Sequence, residues 1–171
     1  MSDRLNRQAP PVGSTRTTLA LIVFLMACFA VAGLGSIITT AQTSPGGWYE
    51  TLDKPFFNPP SWLFGPVWTI LYVLIAISGW LVWRQSGFSR ARGAMLLFFG
   101  QLALNFLWTA IFFGVRAPGL ALVEILILWA AILLTALAFR SLSGLAAVLL
   151  LPYLAWVTFA AILNAAIWWL N

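Results

Sequence analysis

Leu19-Ala20-Leu21-Ile22-Val23-Phe24-Leu25-Met26-Ala27-Cys28-Phe29-Ala30-Val31-Ala32-Gly33-Leu34-Gly35-Ser36-Ile37-Ile38 is a run of twenty residues without a single charge. Coiled as a helix at 1.5 Å per residue, it reaches across about 30 Å, the thickness of the hydrocarbon core of a bilayer. It shows no apolar–polar alternation of period two, the signature of a membrane β-barrel strand. A backbone in lipid must satisfy its own hydrogen bonds, which leaves helices as the solution.

Four further stretches repeat this pattern. With the first, the spans fall at about 17–41, 62–84, 92–114, 118–140 and 143–169. Composition agrees: 62% of the 171 residues are hydrophobic and 8% are charged, outside the usage of soluble domains. The expectation is an all-α membrane protein, a five-transmembrane-helix bundle over 17–171 preceded by a disordered tail over 1–16. Short linkers should set sequence neighbours side by side and antiparallel in one domain.

The same composition excludes several chemistries. There is no histidine and one cysteine, Cys28, which removes zinc clusters, histidine-based triads and histidine-ligated haem, so no metal and no cofactor are expected. The net charge of +5 is dispersed, without the basic run that holds nucleic acid. Arg4, Arg7, Arg16, Arg84, Arg90, Arg92 and Arg140 fall on one side of the spans, and Lys54 and Arg116 on the other. The positive-inside rule then favours a cytoplasmic N-terminus in a bacterial inner membrane.

One linker is unlike the rest. Between the first two spans, loop 42–61 carries Trp48, Tyr49, Phe56 and Phe57 together with Lys54, Pro55, Asn58, Pro59 and Pro60. A plain connector needs only flexible polar residues. Lys54, Pro55, Asn58, Pro59 and Pro60 read as shaping a loop built to cover something.

Helical periodicity sorts the spans into faces. In the third, Gly93, Gly100, Ala103, Ala110 and Gly114 gather within an arc of roughly 100°, with Gln101, Asn105 and Trp108 about 140° away. The small face suits close helix approach, within the monomer or across a homodimer. Trp68 and Tyr72 share a face of the second span, and Tyr153, Trp156, Ala160, Leu163 and Asn164 one face of the fifth. Flat aromatic surfaces beside a few amides suit a planar, mostly apolar ligand, although plain packing also uses aromatics. Trp80, Trp83, Trp168 and Trp169 read as interfacial belt residues. Glu124, inside the fourth span, is expected near the interface or paired.

The order of the segments carries a resemblance. Trp48-Tyr49 with Lys54-Pro55 and Asn58-Pro59-Pro60 precedes Gly65-Pro66-Val67-Trp68 with Leu71-Tyr72. Then follow Gln101-Leu102-Ala103-Leu104-Asn105 with Trp108, Ile111-Phe112-Phe113-Gly114, and Pro152-Tyr153-Leu154-Ala155-Trp156 with Leu163-Asn164. The chain resembles a bacterial member of the tryptophan-rich sensory protein / translocator protein family (TspO/MBR), also called the peripheral-type benzodiazepine receptor family.

The resemblance implies a five-helix bundle, commonly homodimeric, with a pocket under the first loop that binds porphyrins such as protoporphyrin IX. The pocket residues it implies are Trp48, Tyr49, Trp68, Asn105, Trp108, Trp156, Ala160 and Leu163, to which the helical faces add Tyr72 and Tyr153. It also leaves an outer membrane open as the location, and it implies Trp68 and Trp156 as the pair used in light-dependent porphyrin breakdown. No acid–base or nucleophilic constellation accompanies them, so such activity would rest on indole and the ligand's photochemistry. The family's sterol pattern needs a basic residue after Tyr153, and none follows. The competing readings are a porphyrin-binding sensor or transporter, a porphyrin-degrading enzyme, and a structural or interaction protein.

Overall fold

The computed structural model describes residues 14–171. The expected tail and the basic residues Arg4 and Arg7 lie largely or wholly outside them. Helix α1 occupies Ser14–Thr43, α2 Phe64–Arg90, α3 Arg92–Thr109, α4 Pro118–Arg140, α5 Gly144–Leu149 and α6 Leu151–Leu170. A π-helical turn, Ala110–Gly114, closes α3, and 3-10 turns form at Trp48–Thr51 and Ser61–Leu63. No strand occurs among the described residues. Five helical stretches are long and apolar enough to cross a membrane: Thr15–Thr43, Ser61–Arg90, Arg92–Gly114, Pro118–Arg140 and Gly144–Leu170. The five-helix bundle read from the sequence is the fold observed.

Local chemistry sets the breaks. Pro118 opens α4 and Pro152 opens α6, each in the first turn, where the missing N–H has no helical partner to lose. The fifth crossing is therefore two helices joined at Leu150, and Ser143 caps the first by accepting from the backbone N–H of Ala146. α2 continues past Arg84 to Arg90, with a break at Gly87, whose φ of +66° lies in the left-handed region that glycine tolerates.

Not every sequence neighbour is a spatial neighbour. α2 and α3, separated only by Ala91, pack little against each other, because α1 lies against both. Around the bundle the order is α1, α2, the α5–α6 pair, α4 and α3, closing on α1. The expectation that short linkers make antiparallel partners holds for α3 with α4 and fails for α2 with α3.

At the end away from the loop, Phe24 of α1, Phe98 of α3 and Phe139 of α4 converge, with ring centroids 5.5 Å and 6.0 Å apart along the chain of rings. Gly79 of α2 faces them. A Cβ placed there would sit 2.7 Å from the Phe98 ring and 2.9 Å from Phe24, so the approach requires glycine. Lipid tails are as apolar as these side chains, so the contact holds by close packing rather than by water exclusion. Nearer the loop, Phe112, Phe113, Ala121, Leu163 and Ile167 form a second, smaller cluster.

Candidate functional site

Between these two packed regions lies a cavity of about 560 Å³. It falls within the ~300–1,000 Å³ usual for small-molecule sites. α2 supplies Trp68 and Tyr72; α3 supplies Asn105 and Trp108; the π turn supplies Phe112 and Phe113; α6 supplies Trp156, Phe159, Ala160, Leu163 and Asn164. Tyr49 comes down from the loop.

The aromatic rings hold one another in place. Trp68 lies 5.4 Å from Tyr72, and Trp108 stacks on Phe112 at 5.2 Å. Trp156 meets Phe64 edge-on at 5.9 Å and Phe159 at 5.5 Å. Ala160, one turn from Trp156 on α6, leaves the gap between these walls.

Polar groups at the site are arranged in two short networks. The Tyr72 hydroxyl donates to Oδ1 of Asn105 at 2.5 Å, and Nδ2 of Asn105 donates to the Tyr153 hydroxyl at 3.0 Å. The Trp108 indole N–H donates to Oδ1 of Asn164 at 3.1 Å, and Nδ2 of Asn164 donates to the Pro118 carbonyl at 2.8 Å. Both asparagines thus tie helices together, α2–α3–α6 through Asn105 and α3–α4–α6 through Asn164.

The roof is held from several sides. Gly46, with φ of +81°, starts the turn, and its N–H donates to a Glu50 carboxylate oxygen at 3.0 Å. The Tyr49 hydroxyl donates to Oδ1 of Asn58 at 2.9 Å, while the Asn58 N–H donates to the Pro55 carbonyl and its Nδ2 to the Pro59 carbonyl. The Lys54 ammonium sits 5.0 Å from the Tyr49 ring centroid and donates to the Leu52 carbonyl at 3.1 Å. Pro60 is extended and accepts from the Leu63 N–H, which directs the chain into α2. Burial pushes the Tyr49 phenol up to about 12, so it remains a donor across neutral pH.

At the far end of α6, the Asn171 side chain accepts from the Asp53 N–H and donates to the Asp53 carbonyl, both at 3.0 Å. It also donates to the Ile167 carbonyl at 2.8 Å, so the roof is clasped to the last turn of α6.

The structure brings Tyr49, Trp68, Tyr72, Asn105, Trp108, Trp156, Ala160 and Leu163 around one cavity, and places Trp48 and Tyr153 elsewhere. Tyr153 is fully buried behind Asn105 and Trp68. Trp48 lines a separate space of about 320 Å³ with Leu52, Arg116, Pro118, Trp168 and Asn171. Residues adjacent on a 3-10 turn point ~120° apart, and here Tyr49 turns into the cavity while Trp48 packs edge-on against the Phe112 ring at 5.8 Å.

Sequence reasoning missed the contribution of α1. Ala32, Gly33, Ser36, Thr39, Thr40 and Thr43 line the cavity along that helix. Their signal is legible in retrospect: small and hydroxyl-bearing residues recur at helical spacing in a run otherwise made of large aliphatics. Gly33, Ser36 and Thr40 of α1 are exposed at the margin of the cavity, as are Gly65 and Thr69 of α2.

Two polar residues depart from expectation. Gln101 does not reach the cavity; its amide is buried and finds no hydrogen-bond partner among the described residues. Glu124 lacks the partner expected for it: it is 5% exposed, and neither carboxylate oxygen has a hydrogen-bond partner among the described residues.

The small face of α3 is divided. Gly93, Gly100 and Ala103 are exposed, and an added Cβ at Gly93 or Gly100 would meet nothing within 4 Å. Ala110 and Gly114 belong to the π turn beside α1, Ala110 half-buried and Gly114 exposed, with a Cβ at Gly114 lying 3.7 Å from Ile38.

Comparison with known proteins agrees with this architecture. Residues 23–170 match the model of the TspO/MBR family. The chain is 44% identical to the tryptophan-rich protein TspO of Archaeoglobus fulgidus, over 90% of this chain and 97% of that one. It is 45% identical to the protein of the same name from Chlorobaculum tepidum, over 90% and 96% of the two chains. With the human translocator protein it shares 46% identity over 71% of this chain and 73% of the relative. Five apolar crossings and these matches make the chain an integral, multi-pass membrane protein, and it belongs to the TspO/MBR family.

Proposed function

We propose that this protein binds a porphyrin, protoporphyrin IX or a related planar apolar ligand, in the cavity beneath the loop, and acts in tetrapyrrole sensing, transport or regulation. The observation that carries this reading is the cavity itself, walled by Trp68, Trp108 and Trp156 and roofed by Tyr49. Indole faces stack on a macrocycle, and a volume of about 560 Å³ accommodates a drug-sized or larger planar molecule. Saturable quenching of tryptophan fluorescence by protoporphyrin IX tests it. Trp156→Ala should weaken binding at least several-fold, and unchanged binding would overturn the assignment.

A second reading is light-dependent porphyrin degradation. One observation favours it: Trp68 and Trp156, the pair implied for that chemistry, both line the cavity. Illumination should then yield a defined product that Trp68→Phe and Trp156→Phe abolish. Product formation indifferent to both changes is bleaching, not turnover.

Charge places Arg84, Arg90, Arg92 and Arg140 at one end of the bundle and Lys54 and Arg116 at the other. This supports a bacterial inner membrane with the loop on the non-cytoplasmic side. For self-association, the open part of α3 at Gly93, Gly100 and Ala103 is the face we assign to a homodimer. Crosslinking of Ala103→Leu tests that face, and an undiminished dimer excludes it.

A further inference from the structure

The recess of about 320 Å³ at the loop end of the bundle is built from three parts of the chain. Trp48 and Leu52 come from the roof, Arg116 and Pro118 from the passage between the π turn and α4, and Trp168 and Asn171 from the end of α6. Four of these six are apolar or aromatic, and Arg116 is the only charged side chain among them.

Arg116 is held there by an uncommon backbone. Its φ of +59° makes it the one residue other than glycine in the left-handed region among the described residues. A residue with a Cβ enters that region only against a steric cost. Hydrogen bonds on either side fix the turn: the Val115 N–H donates to the Ala110 carbonyl at 2.9 Å, and the Ala117 N–H to the Ile111 carbonyl at 3.3 Å. The Arg116 side chain is exposed and has no hydrogen bond or ion pair among the described residues.

Trp168 owes its place to Gly119 of α4. A Cβ added at Gly119 would come within 2.8 Å of the Trp168 indole nitrogen, so the ring lies on the first turn of α4 because glycine leaves room. The Trp168 N–H has no acceptor among the described residues. Nor do the acids of the roof neutralise the arginine: Glu50 accepts from the Gly46 N–H, and Asp53 forms no ion pair among the described residues. A guanidinium and an indole N–H without acceptors, near the positive end of the α4 dipole, suit an anion.

The surroundings select the kind of anion. One cation balances one negative charge, and the apolar walls suit carbon beside that charge. Trp168 stands in the last turns of the crossing Gly144–Leu170, where a helix leaves the hydrocarbon for the headgroups. No carboxylate lines the recess to receive an ammonium group. A phosphodiester carrying glycerol, with no cationic headgroup, meets each of these conditions.

We infer that this recess binds the phosphodiester of an anionic phospholipid through Arg116 and the Trp168 N–H, and that the bound lipid fastens the roof to α4 and α6. The second part follows from the lining, since Trp48 and Leu52 belong to the roof and Pro118 and Trp168 to the helices. The site is independent of what the larger cavity holds.

The full chain is placed in nanodiscs of phosphatidylcholine, alone or with phosphatidylglycerol added. Native mass spectrometry reads retained lipid, and amide exchange reads the roof over residues 48–54. Expected are preferential retention of phosphatidylglycerol and roof exchange slowed several-fold. Arg116→Gln should lose both effects. Arg116→Gly should lose them while melting no lower than the unmutated protein, because glycine relieves the left-handed backbone, so the loss is not misfolding. Gly119→Ala, which moves the indole and leaves every charge in place, should weaken retention.

Inorganic phosphate is the second arm: protection of the roof by phosphate in pure phosphatidylcholine would make this a site for the free anion and overturn the lipid assignment. Protection by phosphatidylglycerol that persists in Arg116→Gln would reflect general surface charge and overturn the site. Absence of any phosphatidylglycerol effect on both readings overturns it as well.

Discussion

The Tyr49 hydroxyl donates to Oδ1 of Asn58 at 2.9 Å, bridging the two halves of the loop that roofs the cavity. Between them the chain touches the bundle through Asp53, clasped by Asn171, and through Phe57, set against Phe159, while Phe56 is fully exposed. Removing the hydroxyl with Tyr49→Phe deletes one partly buried hydrogen bond, worth about 0.5–1.5 kcal/mol, and keeps the ring. Loop amides should exchange with deuterium several-fold faster, and a bound porphyrin should dissociate faster, while the helices stay protected.

The same bond gives the roof a pH limit. Burial raises the Tyr49 phenol from 10.0 to about 12. Below pH ~10 the phenol is protonated whether the loop is closed or open. As pH rises from about 10 to about 12, the open loop can lose the proton and the closed loop resists, so closure weakens over that window. Loop exchange measured against pH should rise there in the unmutated protein and lose that step in Tyr49→Phe.

Asn171 is the second anchor. Its side chain makes two hydrogen bonds to the backbone of Asp53 and one to Ile167, all from the end of α6. Asn171→Ala should free the Asp53 side of the roof without disturbing Tyr49. The expected result is faster loop exchange centred on Leu52–Lys54 and additivity with Tyr49→Phe, since the two ties share no partner. Strong non-additivity would mean that the roof opens as one rigid piece.

The five crossings were legible because an uncharged run of twenty residues has one solution in lipid. Trp68, Asn105, Trp108 and Trp156 were legible through the family resemblance, and periodicity set them on inward faces; it could not tell which inward residues border the cavity, since Gln101 and Tyr153 share those faces and do not. Periodicity fails where geometry changes. The π turn at Ala110–Gly114 alters the angular step, so the five small residues of the third span do not form one uniform seam. The 3-10 turn separates Trp48 from Tyr49 although they are neighbours. For α1, the sequence alone names no partner for its small residues; only the position of α2 and α3 beside it shows that Gly33, Ser36 and Thr40 border a cavity. Whether Glu124 has a partner depends on residues from other helices, which no single span encodes.

Gly79 tests the packing end of the bundle. An added Cβ would come within 2.7 Å of Phe98 and 2.9 Å of Phe24, and both rings are already fixed by their neighbours. Gly79→Ala should therefore destabilise the protein by about 1–3 kcal/mol through overpacking, and not gain from the better helix propensity of alanine. Thermal unfolding in detergent measures it. Gly100→Ala, where an added Cβ meets nothing within 4 Å, is the matched control and should stabilise the monomer by up to about 1 kcal/mol through helix propensity.

Asn105 decides whether the buried polar chain is structural in its own right. Asn105→Leu removes the acceptor of Tyr72 and the donor to Tyr153 together, leaving two buried hydroxyls without those partners. Interhelical hydrogen bonds in membranes average only about 0.6 kcal/mol, but orphaned buried groups cost about 1–3 kcal/mol. The second effect should dominate, so Asn105→Leu should lower stability by about 1–3 kcal/mol. Adding Tyr72→Phe and Tyr153→Phe removes the orphaned hydroxyls, and the triple variant should recover part of the loss despite carrying more changes. A triple variant less stable than Asn105→Leu would show instead that the phenols hold the helices through contacts of their own, and that the asparagine is only one of several ties between α2, α3 and α6.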